Sequence, residues 1–228
     1  MSPARVRARR GEGERLREEI LAAVSELLDE TNDESAVSIR AIAERVGVTP
    51  PSIYRHFADK EAMLVAVCAE VFVQLTDGIT AAAASATSPL AALAEAGHCY
   101  VRFGLEHPEH YRLVFMRAPL NGEEIDHSDL RPALESGVIP ESHPLFSGDA
   151  LAASQAFKAL YDLVDAVVAN VPKRRRPDVF AITTSMWTAM HGITSLRISK
   201  PDFVWPTVEE QVEAIIWPWR ETLRAAAE

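Results

Sequence analysis

The stretch from Ser38 to Lys60, SIRAIAERVGVTPPSIYRHFADK, constrains the fold most, because a turn is written into its middle. Ile39, Ile42, Ala43 and Val46 recur at i, i+3, i+4 and i+7, which is one face of a helix. Gly47 follows as a left-handed stop, and apolar Val48 plugs the turn. Thr49 stands where a second helix needs its N-cap. Pro50 and Pro51 come next, where a missing N–H costs little. Ile53 and Phe57, four apart, face inward, which leaves Ser52, Tyr54, Arg55 and His56 outward. A helix-turn-helix presents such a polar, aromatic and basic second helix to the major groove. An ordinary surface hairpin has the same spacing, so spacing alone leaves DNA binding open.

The rest of the chain supports an all-α fold. Hydrophobic residues make up 48% of 228, enough for a sizeable core, and Ala, Leu, Glu and Arg dominate the periodic stretches. Cys68 and Cys99 form no C-x-x-C pair, so they read as small core residues in a reducing compartment. No apolar run reaches the ~18 residues of a membrane span. The N-terminal arginines are followed by no apolar segment, so no signal peptide is expected. The expected location is cytoplasmic, with no membrane partner. The net charge of −10 argues against nucleic acid until its distribution is considered. Residues 1–17 carry six arginines against Glu12 and Glu14, and residues 38–60 carry Arg40, Arg45, Arg55 and Lys60 against Glu44 and Asp59. A basic end on an acidic body turns one face toward phosphate.

In chain order, residues 1–13 read as a flexible basic arm. A helix from Arg15 to about Glu30 buries Leu16, Ile20, Ala23, Val24 and Leu27 and roofs the motif, completing a three-helix unit. Asn32 takes the left-handed position at its exit. Asp59 caps a helix running from Lys60 to about Thr80; Lys60 in its first turn opposes the dipole, which a nearby phosphate would offset. Further helices are expected over Pro89–Glu106, from Pro108, over Asp149–Val171, over Asp178–Ile198 and from Thr207 to about Ala226, with Pro218 kinking the last. Residues 118–147 are irregular apart from a short helix near 129–135. His107 and His110 have chelating spacing, but no third ligand shares their register, so no metal site is expected. The run Lys173–Arg176 reads as a solvated connector. The wide apolar faces of the last two helices, with the small-residue stripe Ser185, Ala189 and Gly192, suit a homodimer seam.

The segment GVTPPSIYRHFADKEAML resembles the recognition segment of the tetracycline-repressor (TetR) family of bacterial regulators. Ser38, Arg40, Ala43, Gly47, Val48, Tyr54, His56, Phe57 and Lys60 fall where that family has them. Trp187, His191 and Gly192 resemble the Trp/His/Gly (WHG) signature of one subgroup of its ligand-binding domains. The resemblance implies a helix-turn-helix domain over residues 14–60 and an effector-binding and dimerisation domain over 61–228. It also implies phosphate contacts from Tyr54, His56 and Lys60, and from Thr49. Arg40 suits a guanine edge, and Pro50, Pro51 and Ser52 suit bases or thymine methyls. Arg55 stands where the family often has an apolar or aromatic residue, so its role is open. Candidates for an effector cavity are Tyr100, Phe103, Tyr111, Phe115, Phe157, Tyr161, Trp187, Met190 and His191, with His191 the polar group that would orient a hydrophobic or aromatic ligand.

The expected function is a ligand-released repressor acting on an inverted-repeat operator. An effector-independent DNA-binding dimer and an activator are the alternatives. No G-x-S-x-G, P-loop, G-x-G-x-x-G or H-E-x-x-H pattern is present, so neither an enzyme nor a cofactor is expected.

Overall fold

The computed structural model describes residues 12–116, 128, 130–136, 148–169 and 171–227. Among them are ten α-helices and no strand, so the all-α expectation holds. The chain forms two compact units: residues 1–71 with 107–124, and residues 72–106 with 125–228. The basic arm expected at the N-terminus lies, up to residue 11, outside the described residues.

In the first unit, α1 (Glu12–Thr31) begins earlier than the periodicity suggests. Ile20, Leu21, Ala23, Val24, Leu27 and Leu28 are its buried face. Asn32 closes it at φ 50°, with its N–H on the Leu28 carbonyl at 2.9 Å. Asn tolerates this left-handed region through its short polar side chain. A 3-10 turn, Glu34–Ala36, follows, which the sequence pattern does not reveal. Then come α2 (Ile39–Val46) and α3 (Pro50–Ile53), separated by Gly47 at φ 74°. Gly47 and Val48 donate their N–H groups to the α2 carbonyls of Glu44 and Ala43, at 3.3 and 2.9 Å. Asp59 accepts the Ala62 N–H at 2.8 Å and starts α4 (Lys60–Ala84). The last element of this unit, α6 (Pro108–Phe115), packs against α1.

The second unit is built on α5 (Pro89–Glu106), which touches α8 (Gly148–Val168), α9 (Val179–Ser199) and α10 (Val208–Ala227). Small residues permit this. Ala92, Ala94, Ala96, Gly97 and Gly104 of α5 are all buried. A Cβ on Gly97 would lie 3.1 Å from Val212 Cγ1 and 3.2 Å from Met190 Cε, so α9 and α10 both approach a bare backbone. Asp178 caps α9 by accepting the Ala181 N–H at 3.1 Å. Thr207 and Glu210 form a reciprocal capping box on α10: Glu210 N–H donates to Thr207 Oγ1 and Thr207 N–H to Glu210 Oε2. Pro218 lies inside α10, which continues past it. The short α7 (Leu130–Ser136) lies where a helix is expected; most of the irregular 118–147 stretch is outside the described residues.

One expectation is corrected. By length and composition, α4 is apolar enough to cross a membrane. The search for an uninterrupted apolar run missed this because Glu70 and Asp77 divide the helix while its alanines and β-branched residues keep it apolar. Its buried residues, Met63, Leu64, Val67, Val71, Leu75 and Ile79, form a single stripe at helical spacing, the pattern of a helix that packs with one face.

Gly47→Ala tests the turn. No atom lies within 4 Å of the added Cβ, so the cost is conformational alone. Urea denaturation should show a loss of about 1 kcal/mol in unfolding free energy; an unchanged midpoint would contradict the left-handed assignment.

Candidate nucleic-acid interface

The reading surface is built outward from a small core. Ile42, Ala43, Ile53 and Phe57 are buried, and α2 packs against both α1 and α3. Arg17 of α1 lies over the Phe57 ring at 5.1 Å. Arg45 clamps α2 to α1 by donating to Glu30 Oε1 at 2.8 Å and Glu26 Oε2 at 3.4 Å. That contact holds the Glu30 carboxyl below its usual range, first through the Arg45 hydrogen bond.

With the apolar set turned in, the polar set is turned out. Ser38, Arg40, Thr49, Pro50, Pro51, Tyr54 and Arg55 are exposed, and Ser52 and His56 are half-buried. Tyr54 is 54% exposed, far more than a packed tyrosine. Around α3 the side chains form a chain of donors: the Thr49 and Ser52 hydroxyls are 3.2 Å apart, and Arg55 Nη2 donates to Ser52 Oγ at 3.2 Å. A Cβ on Gly13 would lie 3.8 Å from His56 Cε1, so the start of α1 adjoins this surface.

Two details differ from the sequence reading. Thr49 stands at the N-cap of α3, but its side chain makes no capping hydrogen bond. The hydroxyl turns to Ser52 instead, while the capping side chain of the motif is Ser38, whose Oγ accepts the Ala41 N–H at 3.2 Å. The second helix is also shorter than the Ile53/Phe57 pairing suggests. It ends at Ile53, whose carbonyl accepts both the His56 and Phe57 N–H groups at 2.9 and 3.1 Å, so a tight turn brings Phe57 inward. Lys60 has a partner within the unit: Nζ donates to the Glu34 carbonyl at 2.7 Å, across to the 3-10 turn that sequence reasoning did not find.

The nine cavity candidates divide between the units. Tyr111 is buried and Phe115 half-buried in the first, with ring centroids 4.8 Å apart. The other seven lie in the second unit. There Tyr100 and Met190 are buried, and Phe103, Phe157, Tyr161 and His191 are half-buried. Trp187 is 39% exposed and meets the Phe157 ring edge-on at 5.9 Å. Phe157 also meets Phe180 at 5.8 Å, and Arg131 of α7 lies over Phe180 at 5.3 Å. Phe180 and Arg131 were missed. Phe180 stands seven residues before Trp187, two turns along one helical face, and that register was the available signal. Burial pushes the His191 imidazole below its ordinary pKa, and burial followed by the Asp165 charge pushes the Tyr161 phenol up.

The expectation that His107 and His110 lack a third ligand is corrected by tertiary structure. Asp29, in the last turn of α1, lies beside both, and one donor atom from each residue falls within 4.8 Å of the others.

A short two-helix motif with an outward basic and hydroxylic surface, roofed by a third helix and joined to a helical body, is the plan of a one-component DNA-binding regulator. The family model of bacterial regulatory proteins of the tetR family matches residues 20–67, and that of the tetracyclin repressor-like C-terminal domain matches residues 93–216. The chain belongs to the TetR family and is a DNA-binding transcriptional regulator. A similar protein is the uncharacterized HTH-type transcriptional regulator YobS of Bacillus subtilis (strain 168), 24% identical over 179 residues, spanning 76% of this chain and 90% of that one. A protein of unknown function from Rhodococcus sp. RHA1 shares the fold over all of both chains, with a TM-score of 0.67 and 20% identity. The transcriptional regulator FadR from Bacillus subtilis shares it over 89% of this chain and 96% of that one, with a TM-score of 0.59 and 13% identity.

The two hydroxyls of the motif predict different outcomes. Ser38→Ala removes a made cap and should lower the unfolding free energy by about 1 kcal/mol. Thr49→Ala removes no cap bond and should leave the denaturation midpoint within error of wild type; a loss equal to that of Ser38→Ala would show that Thr49 caps α3 after all.

Proposed function

We propose that this regulator is a repressor that binds an inverted-repeat operator as a homodimer and leaves it when a hydrophobic or aromatic small molecule enters its helical body. The observation that carries the DNA half is the exposed set of Arg40, Thr49, Tyr54 and Arg55, with half-buried Ser52 among them, on a motif whose Ile42, Ala43, Ile53 and Phe57 are buried. Arg40 forks onto a guanine, the α3 start meets bases, and Tyr54, His56 and Thr49 meet phosphates. The net charge of −10 keeps the rest of the chain from competing for phosphate.

A two-fold copy supports this reading, because one short helix reads few base pairs and two half-sites stand about 34 Å or a multiple apart. The faces of α9 and α10 supply apolar surface for such a partner. Leu196 and Trp217 are exposed, as are Phe203 and Val204 in the connection between the helices. For the effector, the cluster of Phe157, Phe180 and Trp187 offers aromatic surface, and His191, kept neutral by burial, offers a polar handle. FadR from Bacillus subtilis, which shares the fold, has been solved in complex with stearoyl-CoA, a ligand whose acyl chain is apolar and whose coenzyme A part is charged.

Lys60 separates a DNA role from a structural one. If Nζ leaves the Glu34 carbonyl for a phosphate, Lys60→Ala weakens binding to operator and random duplex alike, and the slope of log K against log salt falls by about one unit. If it only holds the 3-10 turn, the variant loses thermal stability with the slope unchanged. For the effector half, titrating long-chain acyl and aromatic compounds into an operator complex should release the DNA, and Trp187→Ala should raise the concentration needed about tenfold. Release by no apolar compound would leave an effector-independent regulator.

A further inference from the structure

Three donors meet where the last turn of α1 packs on α6, all within the first unit. Asp29 Oδ1 lies 3.0 Å from His110 Nδ1 and 4.0 Å from His107 Nδ1, and the two imidazole rings stand edge to face with centroids 5.8 Å apart. We propose that Asp29, His107 and His110 form a binding site for one divalent transition-metal ion of the zinc class, with solvent completing its coordination.

The geometry favours this over a plain Asp–His contact. An Asp–His hydrogen bond needs the carboxylate oxygen in line with the ring N–H. Here His110 Nδ1 is fully buried and has no aligned hydrogen bond, although Asp29 Oδ1 is 3.0 Å away. A buried ring nitrogen within 3.0 Å of a carboxylate oxygen but off its N–H line can turn its lone pair, together with that oxygen, toward an ion lying to one side of both. Ligand atoms about 2.0–2.1 Å from a tetrahedral zinc stand about 3.3 Å from one another, so side-chain adjustments of ~1 Å or less close the site. Asp29 and His107 are partly exposed, so an ion and a water can enter, while His110 anchors the buried side. Burial holds the His110 imidazole neutral, the form that offers a lone pair.

The donor set selects the metal. Two imidazoles and one carboxylate suit zinc, cobalt or nickel, whereas magnesium and calcium prefer all-oxygen sites. Pro108 contributes by starting α6 between the two histidines, which directs both rings toward α1. A bound ion would tie Asp29 to His107 and His110 at the beginning of α6 by direct coordination.

Cobalt titration of the full chain, stripped of metal with a chelator, tests the site directly. Wild type should take up one equivalent of Co2+ with the visible d–d absorption of tetrahedral coordination, and Zn2+ should displace it. His107→Ala and Asp29→Asn alter partly exposed side chains, so both variants should keep a wild-type circular dichroism spectrum while weakening cobalt binding at least tenfold. His110→Gln should do the same if it folds, and the other two variants decide the matter if it does not. The chain has five further histidines and two cysteines. Stoichiometric binding that survives in His107→Ala and Asp29→Asn would place the ion among those and overturn the proposal, as would no visible band or no stoichiometric uptake by wild type.

Discussion

Burial of Ile42, Ala43, Ile53 and Phe57 is the constraint on which the reading surface depends. Each large apolar side chain removed from water contributes about 1.5–3 kcal/mol. The Arg45–Glu30 pair lies at the surface, where solvent screens it. Packing therefore decides how α2 and α3 sit against α1, and the ion pair follows the geometry it finds. Gly47 is the condition for this packing. Only a left-handed residue there turns the chain so that Ile42 and Ile53 face the same interior, and the polar residues between and beyond them have nowhere to go but outward. Exposure of Tyr54 and Arg55 is thus a consequence of the core, and the proposed DNA contacts use what the core leaves outside.

The second unit solves a different problem with the same means. Here one helix, α5, contacts three others, and small residues among its buried positions (Ala92, Ala94, Ala96, Gly97 and Gly104) permit the close approach. Gly97 is a close-approach point, with Val212 and Met190 both against it. The hydroxyls of α9 are accommodated without cost to its core: Thr183 and Thr194, both fully buried, donate to the carbonyls four residues back at 2.7 and 2.9 Å. Polar groups on an inward face are thereby satisfied within their own helix, and α9 can present residues of mixed character on all sides.

Much of this was legible in the sequence because it is local. Gly47, Asn32 and Asp59 announce their roles through backbone preferences that act within a few residues, and Ile42 and Ile53 through helical spacing. The family words of the 38–60 segment carried the functional class. What was not legible depends on groups far apart in the chain. Lys60 meets Glu34 through a 3-10 turn that has no periodic signature. Asp29 completes a triad with His107 and His110 only because α6 folds back on α1. Thr49 had a rival partner in Ser52 that spacing cannot rank. The cavity candidates rest on residue type, which carries no information about location. Aromatic residues at helical spacing serve any core, and Tyr111 and Phe115 fall in a different unit from Phe157 and Trp187.

The interaction of the full chain with duplex DNA tests the central claim most directly. Selection from a random pool, followed by titration of the recovered fragment at fixed salt, reads sequence preference, site symmetry and protein stoichiometry together. The buried-core, exposed-helix arrangement predicts an inverted repeat bound by two chains at least a thousandfold more tightly than random duplex. Recovery of no common sequence, or equal affinity for the selected fragment and its scrambled counterpart, would contradict it.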